Sequence, residues 1–302
     1  MNLVDYNIWC LILNWNGIKH LEYMLPSILD CNYNNNTHFL LIDANSNDSS
    51  CDYAKSLDSK KLSIYKLNDN PGWAGANNKG IEYAVKHGAD YVVLLNNDMR
   101  FSKNWLIDSM LIFDKYDDAG IVGCKIINSL DKFKKNNELY QKHDCNEVRF
   151  IPGCCMILPT YIFKNIGLIN EEYIFYEEEV DFEHRVKKAG YKLYESNSPV
   201  WHHHDGSLYQ FPEKRAYLAI RNSILISRRY DIFIITIAKT INIILCLVFK
   251  NYRKHTMTNK RYYAKNPLIN IKIFIKAFHW NLIDIFKRGY KAKIQLPIMN
   301  EN

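Results

Sequence analysis

The sequence predicts an α/β fold, with a mixed, mainly parallel sheet flanked by helices and a basic helical C-terminal extension. Three observations support this prediction. Short apolar runs alternate with segments of helical spacing, polar loops follow most of these runs, and positive charge is concentrated near the end of the chain. With 302 residues, 48% of them apolar, the chain can also bury a sizeable core.

Strands are predicted wherever apolar residues form short runs. These runs are Ile8–Leu13, Phe39–Ile42, Ile64–Leu67, Tyr91–Leu95 and Ile121–Ile127. Helices are predicted between them, over residues 18–30, 49–57, 76–87 and 102–116, because apolar positions recur there at helical spacing. Strands and helices that alternate in this way are typical of βαβ units, whose strands are parallel.

The polar loops after these strands should gather at one edge of the sheet, where open α/β sheets bind ligands. Asp98 follows the fourth strand and is the only carboxylate of its loop, which makes it a candidate metal ligand. Asp43 ends the second strand, where it could accept bonds from a base or a ribose. The glycines Gly72, Gly75 and Gly80 allow backbone to approach a ligand closely. A polar strand-to-loop turn explains Asp98 equally well without a metal.

A second half of the chain begins near Phe150, with a turn into another buried strand at Ile151–Leu158 and a helix predicted over residues 180–189. The densest acidic cluster precedes and enters this helix: Glu177, Glu178, Glu179, Asp181 and Glu183. Carboxylates at a helix N-terminus stabilise the helix and need no further function. Their aromatic and aliphatic neighbours can equally raise a carboxylate pKa toward that of a general base.

Three adjacent histidines, His202, His203 and His204, follow Trp201. On an extended segment alternate side chains share a side, so one or two of these histidines could bind a metal ion. Surface histidines without a ligand are the alternative. The eight scattered cysteines contain no Cys-x-x-Cys pair, which predicts reduced thiols and a cytoplasmic chain. The N-terminus has no basic region of a secretion signal.

Six ordered motifs resemble those of glycosyltransferase family 2, and especially its rhamnosyltransferase-like, non-processive branch. The motifs are Leu13–Gly17, Ile42–Ser49, Asn70–Gly80, Leu94–Asp98, Gly167–Asp181 and His203–Ser207. The resemblance covers about residues 6–230. It implies a GT-A catalytic domain over residues 1–230, with a nucleotide-sugar-binding half (1–127) and an acceptor and catalytic half (128–230). Residues 231–302 then form a basic amphipathic helical region.

The resemblance also implies an inverting sugar transfer that depends on a divalent metal, Mg²⁺ or Mn²⁺. The donor would be a nucleotide-diphosphate sugar, either dTDP-rhamnose or a UDP-sugar. The acceptor would be a hydroxyl of a cell-surface glycan or of a polyprenyl-linked precursor. No Gln-x-x-Arg-Trp is present, which argues against a processive polymerase. A catalytically impaired nucleotide-sugar-binding protein is the alternative, because Asn96 and Glu179 stand where the family has aspartates.

The same motifs imply roles for individual residues. Nucleotide-sugar binding would fall on Asn14, Trp15, Asn16, Asp43, Asn45, Gly72, Gly75, Asn78, Asn96 and Asn97. Asp98 matches the last residue of the family's metal-binding D-x-D, and His203 or His204 its metal-binding histidine. The catalytic acidic pair falls on Glu178 and Glu179, with Glu179 at the position of the base and Asp181 two residues on. Gly153 and Arg185 are assigned to the acceptor.

The C-terminal part of the chain is strongly basic, unlike the rest. Residues 208–302 carry 18 Lys/Arg against 4 Asp/Glu, whereas residues 1–207 carry 21 against 28. Ile232–Phe249 is apolar but contains Lys239, which predicts a buried or surface-lying helix instead of a membrane span.

Asn270–Tyr290 places apolar residues on one stripe and cations off it. Such a helix suits an anionic membrane surface, and it also suits packing on the catalytic domain. The first interpretation predicts a peripheral protein on the inner face of the cell membrane. Nucleic acid is not an expected partner, because no recognition motif accompanies the charge.

Overall fold

The computed structural model describes residues 6–139, 144–203, 211–249, 261–264 and 266–291. Its strands are β1 (Ile8–Asn14), β2 (Thr37–Asp43), β3 (Leu62–Lys66), β4 (Tyr91–Asn96), β5 (Met99–Phe101), β6 (Ala119–Ile127), β7 (Cys145–Val148), β8 (Cys155–Pro159) and β9 (Lys192–His202). Its helices are α1 (Ile18–Leu29), α2 (Ser50–Ser56), α3 (Gly72–Lys86), α4 (Trp105–Lys115), α5 (Leu130–Leu139), α6 (Tyr161–Ile166), α7 (Glu178–Lys188), α8 (Pro212–Tyr230), α9 (Phe233–Val248) and α10 (Pro267–Arg288).

The strands of the described residues form one mixed sheet in the order β3-β2-β1-β4-β8-β6-β9-β5, with β7 paired to β9. The first four strands of this order are parallel, and β9 is parallel to β6. β8 is antiparallel to β4 and β6, and β9 is antiparallel to β5 and β7. The predicted α/β class with a mixed, mainly parallel sheet and C-terminal helices is confirmed.

The chain separates into two compact units. Within the described residues, the first unit contains 6–169 and 182–203, which include the sheet. The second unit contains 170–181 and the helical region from residue 211 to residue 291. The acidic segment predicted near residues 170–181 is therefore grouped with the C-terminal helices, although helix α7 continues from it into the first unit.

The core of the first unit forms because its central strands are apolar on both faces. In β1, Cys10, Leu11 and Ile12 are fully buried, and Val93 and Leu95 of β4 are buried beside them. Such two-sided burial is typical of parallel strands covered by helices. The polar residues at the ends of these strands are consequently held by a rigid core.

Gly80 allows helix α3 to lie close against the sheet. A Cβ atom at this position would lie 2.2 Å from Cδ1 of Ile42 and 3.2 Å from Cδ1 of Leu11. Ile42 is fully buried and immediately precedes Asp43, so the close approach of α3 fixes the end of β2.

The second unit has a core of small and aliphatic residues from its three helices. Ala219 and Ile220 of α8 pack with Ile243 of α9 and Ala277 of α10. The contact between α8 and α10 is also polar. Arg228 is buried and donates hydrogen bonds to the carbonyl of Asn281 and to Asp284, at 3.1 Å and 2.5 Å.

We predict that Gly80→Val lowers the free energy of unfolding by about 1–3 kcal/mol, because the added side chain overpacks the contact with Ile42. Valine is a better helix former than glycine, so a loss of stability reports the clash and not helix propensity. Urea unfolding followed by circular dichroism measures the change. Lys79→Ala, at an exposed position of the same helix, is the matched control and should change little. Unchanged stability of Gly80→Val would contradict the close packing.

Candidate active site

The parallel strands bring three polar residues to one edge of the sheet in the first unit. Asn14 of β1 is in register with Asp43 of β2, and Leu13 with Asn96 of β4. Because the strands are parallel, the side chains that follow their carboxyl ends meet at the same edge. The polar residues therefore gather at one edge of the sheet, as the sequence predicts, and ligand binding there stays a prediction.

Asn14, Asp43 and Asn97 form a buried hydrogen-bond network at this edge. Nδ2 of Asn14 donates to Oδ2 of Asp43 at 3.0 Å, and Oδ1 of Asn14 accepts from Nδ2 of Asn97 at 2.7 Å. The backbone N–H of Ser46 donates to Oδ1 of Asp43 at 2.8 Å. Both oxygens of Asp43 are thus hydrogen-bonded, and the three loops are fixed relative to each other.

Gly17 closes this network from the side of β1. A Cβ atom there would lie 2.1 Å from Nδ2 of Asn97 and 2.5 Å from Oδ1 of Asn14. Only a residue without a side chain leaves the hydrogen bond between these two asparagines intact.

The rim of this edge carries the remaining residues assigned to nucleotide-sugar binding. Asn16 and Asn45 are exposed and have positive φ angles of 49° and 60°. The indole N–H of Trp73 donates to Oδ1 of Asn96 at 3.3 Å. Among the other assigned residues, Trp15 and Gly72 are half-buried, and Gly75 is buried in α3.

Asn78 makes a two-point contact with the backbone of Ile169. Its Nδ2 donates to the Ile169 carbonyl at 2.9 Å, and its Oδ1 accepts from the Ile169 N–H at 3.0 Å. The side chain is buried. Asn78 therefore joins helix α3 to the chain that follows α6, a structural role that the motif alone does not indicate.

Asp98 lies between β4 and β5, next to His202 of β9. Met99 of β5 is in register with His202 of β9, and Nε2 of His202 lies 3.1 Å from Oδ1 of Asp98. Both side chains are buried. The backbone N–H of His203 donates to the Asp98 carbonyl at 3.0 Å, and its exposed ring lies 5.9 Å from that of His20. His204 lies outside the described residues.

Asp98 and His202 hold opposite charges. Burial raises the pKa of Asp98, but the hydrogen bond and charge of His202, with the charge of His20, lower it below its ordinary value. Burial lowers the pKa of His202, and its hydrogen bonds to Asp98 and Cys154 raise it to about 10. A positive charge is therefore already stabilised next to the Asp98 carboxylate.

The Asp98 edge suits a divalent cation only in part. Carboxylate oxygens are preferred ligands of Mg²⁺ and Mn²⁺, and imidazole is a common metal ligand. Within the described part of the chain, however, no three His, Cys, Asp or Glu residues are grouped to hold a metal. A cation at Asp98 would therefore complete its coordination with oxygens of a bound ligand or of water, as Mg²⁺ commonly does.

The acidic segment of the second unit contains a pair of carboxyl groups with raised pKa values. Burial, the charge of Glu179 and the charge of Glu177 raise the pKa of Glu178 well above its ordinary value. Burial and the charge of Glu177 raise the pKa of Glu179 to about 7. Oε2 of Glu178 is buried without a hydrogen-bond partner among the described residues. Two neighbouring carboxyl groups whose pKa values are raised toward neutral pH are suited to proton transfer.

The other carboxylates of this segment are paired. Oε1 of Glu177 accepts from Arg261 at 2.5 Å and from Ser223 at 3.1 Å. Oδ1 of Asp181 accepts from the hydroxyls of Tyr173 and Tyr230 at 3.1 Å and 2.9 Å. Asp181 is fully buried, and these contacts give it a structural role at the start of α7.

The two residues assigned to the acceptor lie in the first unit. Arg185 donates to the carbonyls of Ile166 and Leu168 at 2.8 Å and 2.9 Å, and its guanidinium lies over the ring of Phe182. It therefore braces the end of α6. Gly153 is half-buried in the turn before β8.

Three residues with specific contacts at these sites were not assigned from the sequence: His202, Trp73 and Arg261. His202 belongs to the histidine run, but its pairing with Asp98 depends on β5, a strand of three residues. Arg261 lies 84 residues from Glu177 in the chain. For Trp73 the sequence offered one signal, its position directly after the Asn-Pro-Gly turn sequence of a loop that was predicted to face the ligand.

Known proteins match this chain in sequence and in fold. The sequence model described as glycosyl transferase family 2 matches residues 10–167, about half of the chain. The low-salt glycan biosynthesis hexosyltransferase Agl10 of Haloferax volcanii is 25% identical over 182 residues. That match covers 52% of this chain and 57% of the relative, so this chain spans little more than half the length of that protein.

Two solved structures share the fold. The mannosyltransferase PcManGT of Pyrobaculum calidifontis, in complex with GDP-Man and Mn²⁺, has a TM-score of 0.58 at 11% identity, covering 89% of this chain and 87% of that chain. GalNAc-T7 with UDP, GalNAc and Mn²⁺ has a TM-score of 0.55 at 16% identity, covering 65% and 44%. At these identities the likeness concerns the fold.

We predict that Asn78→Leu destabilises the protein, because it leaves the N–H and the carbonyl of Ile169 unpaired at about 1–3 kcal/mol each. Asn77→Leu is the matched control, on the same helix and equally buried. Oδ1 of Asn77 already has no partner among the described residues, so its loss should cost less than about 1 kcal/mol. Urea unfolding of both variants measures the difference. Equal losses would contradict the two-point contact.

Proposed function

Because this chain belongs to glycosyl transferase family 2, we propose that it transfers a sugar from a nucleoside-diphosphate sugar to a hydroxyl group, with inversion at the anomeric carbon. The donor is dTDP-rhamnose or a UDP-sugar, and the acceptor is a cell-surface glycan or a polyprenyl-linked precursor. The relative from Haloferax volcanii supports hexosyl transfer by its name, and the two structural neighbours support a nucleotide-sugar donor.

The observation that carries this proposal is the acidic pair Glu178 and Glu179. A general base works best when its pKa lies near the working pH, and the pKa of Glu179 is raised to about 7 by burial and by the charge of Glu177. We assign Glu179 the removal of the proton from the acceptor hydroxyl as that oxygen attacks. Glu178 lies beside it, and burial and the charges of Glu179 and Glu177 raise the pKa of Glu178 well above its ordinary value.

The first unit supplies the donor site in this proposal. Asn14 and Asn97, held in one network with Asp43, present a fixed polar edge to the nucleotide. Asp98 and His203 or His204 hold a divalent cation, Mg²⁺ or Mn²⁺, while His202 pairs with the Asp98 carboxylate. Such a cation neutralises charge that develops on a leaving diphosphate.

We predict that a nucleotide sugar together with Mn²⁺ raises the melting temperature, and that the correct donor and acceptor then give turnover. Glu179→Gln should lower kcat about 10²–10⁴-fold, because the general base is lost, while the donor-dependent melting shift is retained. Glu171→Gln, at an exposed position of the same segment, is the control and should keep its activity.

Donor screening by melting temperature and product detection by mass spectrometry test the proposal. A wild-type protein that binds donors but transfers no sugar to any acceptor would support the alternative, a nucleotide-sugar-binding protein without catalysis. A protein that neither binds nor transfers would remove both proposals.

We also propose that the C-terminal helices attach the protein to an anionic membrane surface. Helix α10 supports this proposal, because most of its large apolar side chains face solvent. Its buried side carries Asn270, Ile273, Ala277, Asn281 and Asp284, and this side packs in the second unit. Its exposed side carries Leu268, Ile271, Ile275, Phe278, Leu282, Ile283 and Phe286. A helix that leaves this many large apolar side chains exposed marks an interaction surface.

Helix α9 also exposes large apolar side chains. Ile232, Phe233 and Ile234 at its start are all more than 60% exposed, and Ile237, Ile241 and Ile244 continue along it. Among the described helices, none combines the length and apolar composition that crossing a bilayer requires. Attachment in the plane of the interface fits these helices.

The cations of α10 favour an anionic lipid over another apolar partner. Lys272, Lys276 and Lys287 are exposed next to the apolar stripe. Each lysine near an anionic surface contributes about 1 kcal/mol, and each apolar side chain that becomes fully buried about 1.5–3 kcal/mol. Apolar insertion should therefore dominate, with charge adding a preference for anionic lipid.

We predict that the protein floats with vesicles of phosphatidylglycerol and phosphatidylcholine, more strongly at low salt than at high salt, and less with phosphatidylcholine alone. Ile275→Glu with Phe286→Glu should reduce flotation at least tenfold, because two inserting side chains become charged. Leu111→Glu, at an exposed apolar position of α4 in the first unit, is the control. Flotation that is indifferent to lipid charge, or equal in both variants, would contradict the proposal.

A further inference from the structure

The turn that leads into Glu178 has an unusual backbone. Ile174, Tyr176 and Glu177 have positive φ angles of 66°, 71° and 70°. Residues with a side chain seldom adopt this conformation, and a β-branched residue such as Ile174 is a clear outlier. Such strain persists only where the surroundings impose it, and it is frequent at functional sites. The contacts that impose it here therefore matter for the acidic pair.

Helix α8 holds the main chain of the turn. Nδ2 of Asn222 donates to the carbonyls of Tyr173, Phe175 and Tyr176, at 2.8, 2.9 and 2.9 Å. Asn222 is itself fixed, because its Oδ1 accepts from Nε of Arg221 at 2.7 Å. One buried asparagine thus binds most of the backbone oxygens that the strained turn presents.

The side chain of Glu177 is held by a second set of contacts, centred on Arg261. Arg261 donates to Oε1 of Glu177 at 2.5 Å, and to the hydroxyls of Ser223 and Tyr262 at 3.1 Å each. Ser223 also donates to Glu177 at 3.1 Å. Glu177 is buried and the side chain of Arg261 is 25% exposed, so this ion pair is partly shielded from solvent. Arg261 lies beyond the residues that match the family model.

We infer that Glu177 and Arg261 are positioning residues, whose ion pair fixes the strained turn and places two opposite charges beside the acidic pair Glu178 and Glu179. This inference rests on the proposed role of Glu179 as the base. It assigns to the C-terminal region a part in catalysis that is separate from membrane attachment.

The two members of the pair act on Glu179 in opposite directions. The negative charge of Glu177 raises the pKa of Glu179, and the positive charge of Arg261 lowers it. Glu178 is the other carboxyl group next to Glu179. One turn along α7, Asp181 faces Tyr173, Tyr230 and Arg229, and its charge is balanced there.

Removing either charge should therefore shift the pH profile in a direction that depends on which charge is removed. A carboxylate base is active when it is deprotonated, so kcat falls as the pH drops through the pKa of Glu179. Glu177→Gln lowers this pKa and moves the acidic limb to lower pH. Arg261→Gln raises it and moves the limb to higher pH. We expect shifts of about one unit, the lower end of what a neighbouring charge causes.

The experiment measures kcat and donor KM against pH for the wild type, Glu177→Gln, Arg261→Gln and the double variant. We expect opposite shifts of about one pH unit in the single variants, a profile between them in the double variant, and KM values that change less than kcat. Arg261→Lys, which keeps the charge, should restore the wild-type limb. Lys239→Gln, which removes a cation paired with Asp231, should not move it.

A titration that does not depend on turnover complements the kinetics. The carboxyl ¹³C signal of Glu179, in glutamate-labelled protein, is assigned by its absence from Glu179→Gln. Its pKa should shift downward in Glu177→Gln and upward in Arg261→Gln. Circular dichroism verifies that the variants fold, and if Glu177→Gln does not, the upward shift in Arg261→Gln, compared with the charge-keeping Arg261→Lys, decides the question.

The outcomes separate this inference from the proposed function. The inference would be overturned if neither the acidic side of the kcat–pH profile nor the carboxyl signal shifted, or if both single variants shifted it in the same direction. Wild-type sugar transfer, and with it the proposed function, would not be affected by that result. A wild type without transfer would overturn the proposed function, and the carboxyl titration would still decide whether the ion pair sets the ionisation of Glu179.

Discussion

The second unit depends on the pairing of buried carboxylates with arginine side chains. Taking a charge out of water costs several kcal/mol per ion unless partners compensate it. The buried Glu177 receives Arg261, and the half-buried Glu172 receives both Arg229 and Arg288. These arginines come from α8, α10 and the segment between α9 and α10. The acidic segment therefore requires helices that follow it by 40 residues or more in the chain.

The pair Glu178 and Glu179 differs from these carboxylates, because neither residue is paired with an arginine in the hydrogen bonds and ion pairs of the described residues. Glu178 is as deeply buried as its paired neighbours, yet Oε2 has no partner among the described residues. The turn before it holds three residues at positive φ, each at a cost of about 1–2 kcal/mol. The unpaired oxygen and the positive φ angles both cost free energy, although the nearby Asp181 is hydrogen-bonded to two tyrosines. We infer that the segment keeps two carboxyl groups close together and poorly solvated.

Most of the fold could be predicted from the sequence, and part of the site. Buried apolar runs located β1 and β4, and the strand ends placed Asn14 and Asp43 at one edge. The antiparallel pairing of β5 with β9 could not be predicted, because β5 has three residues and no pattern of its own, and so the contact of His202 with Asp98 was missed. Motif position selected Glu179. The cause of its raised pKa lies in burial and in Glu177, which only the folded chain reveals.

The charge of the C-terminal region illustrates the same limit. From composition, 18 cations against 4 anions predicted an anionic surface as partner. In the described part of residues 211–291, every arginine donates a hydrogen bond within the protein, and every lysine is exposed. This division follows from chemistry, since a guanidinium can bind several acceptors at once and is weakly hydrated, whereas an ammonium is strongly hydrated. The arginines hold the acidic segment in place, and the lysines are left for the surface. Net charge alone therefore overestimates the charge available to a partner, and the number of lysines is the better guide.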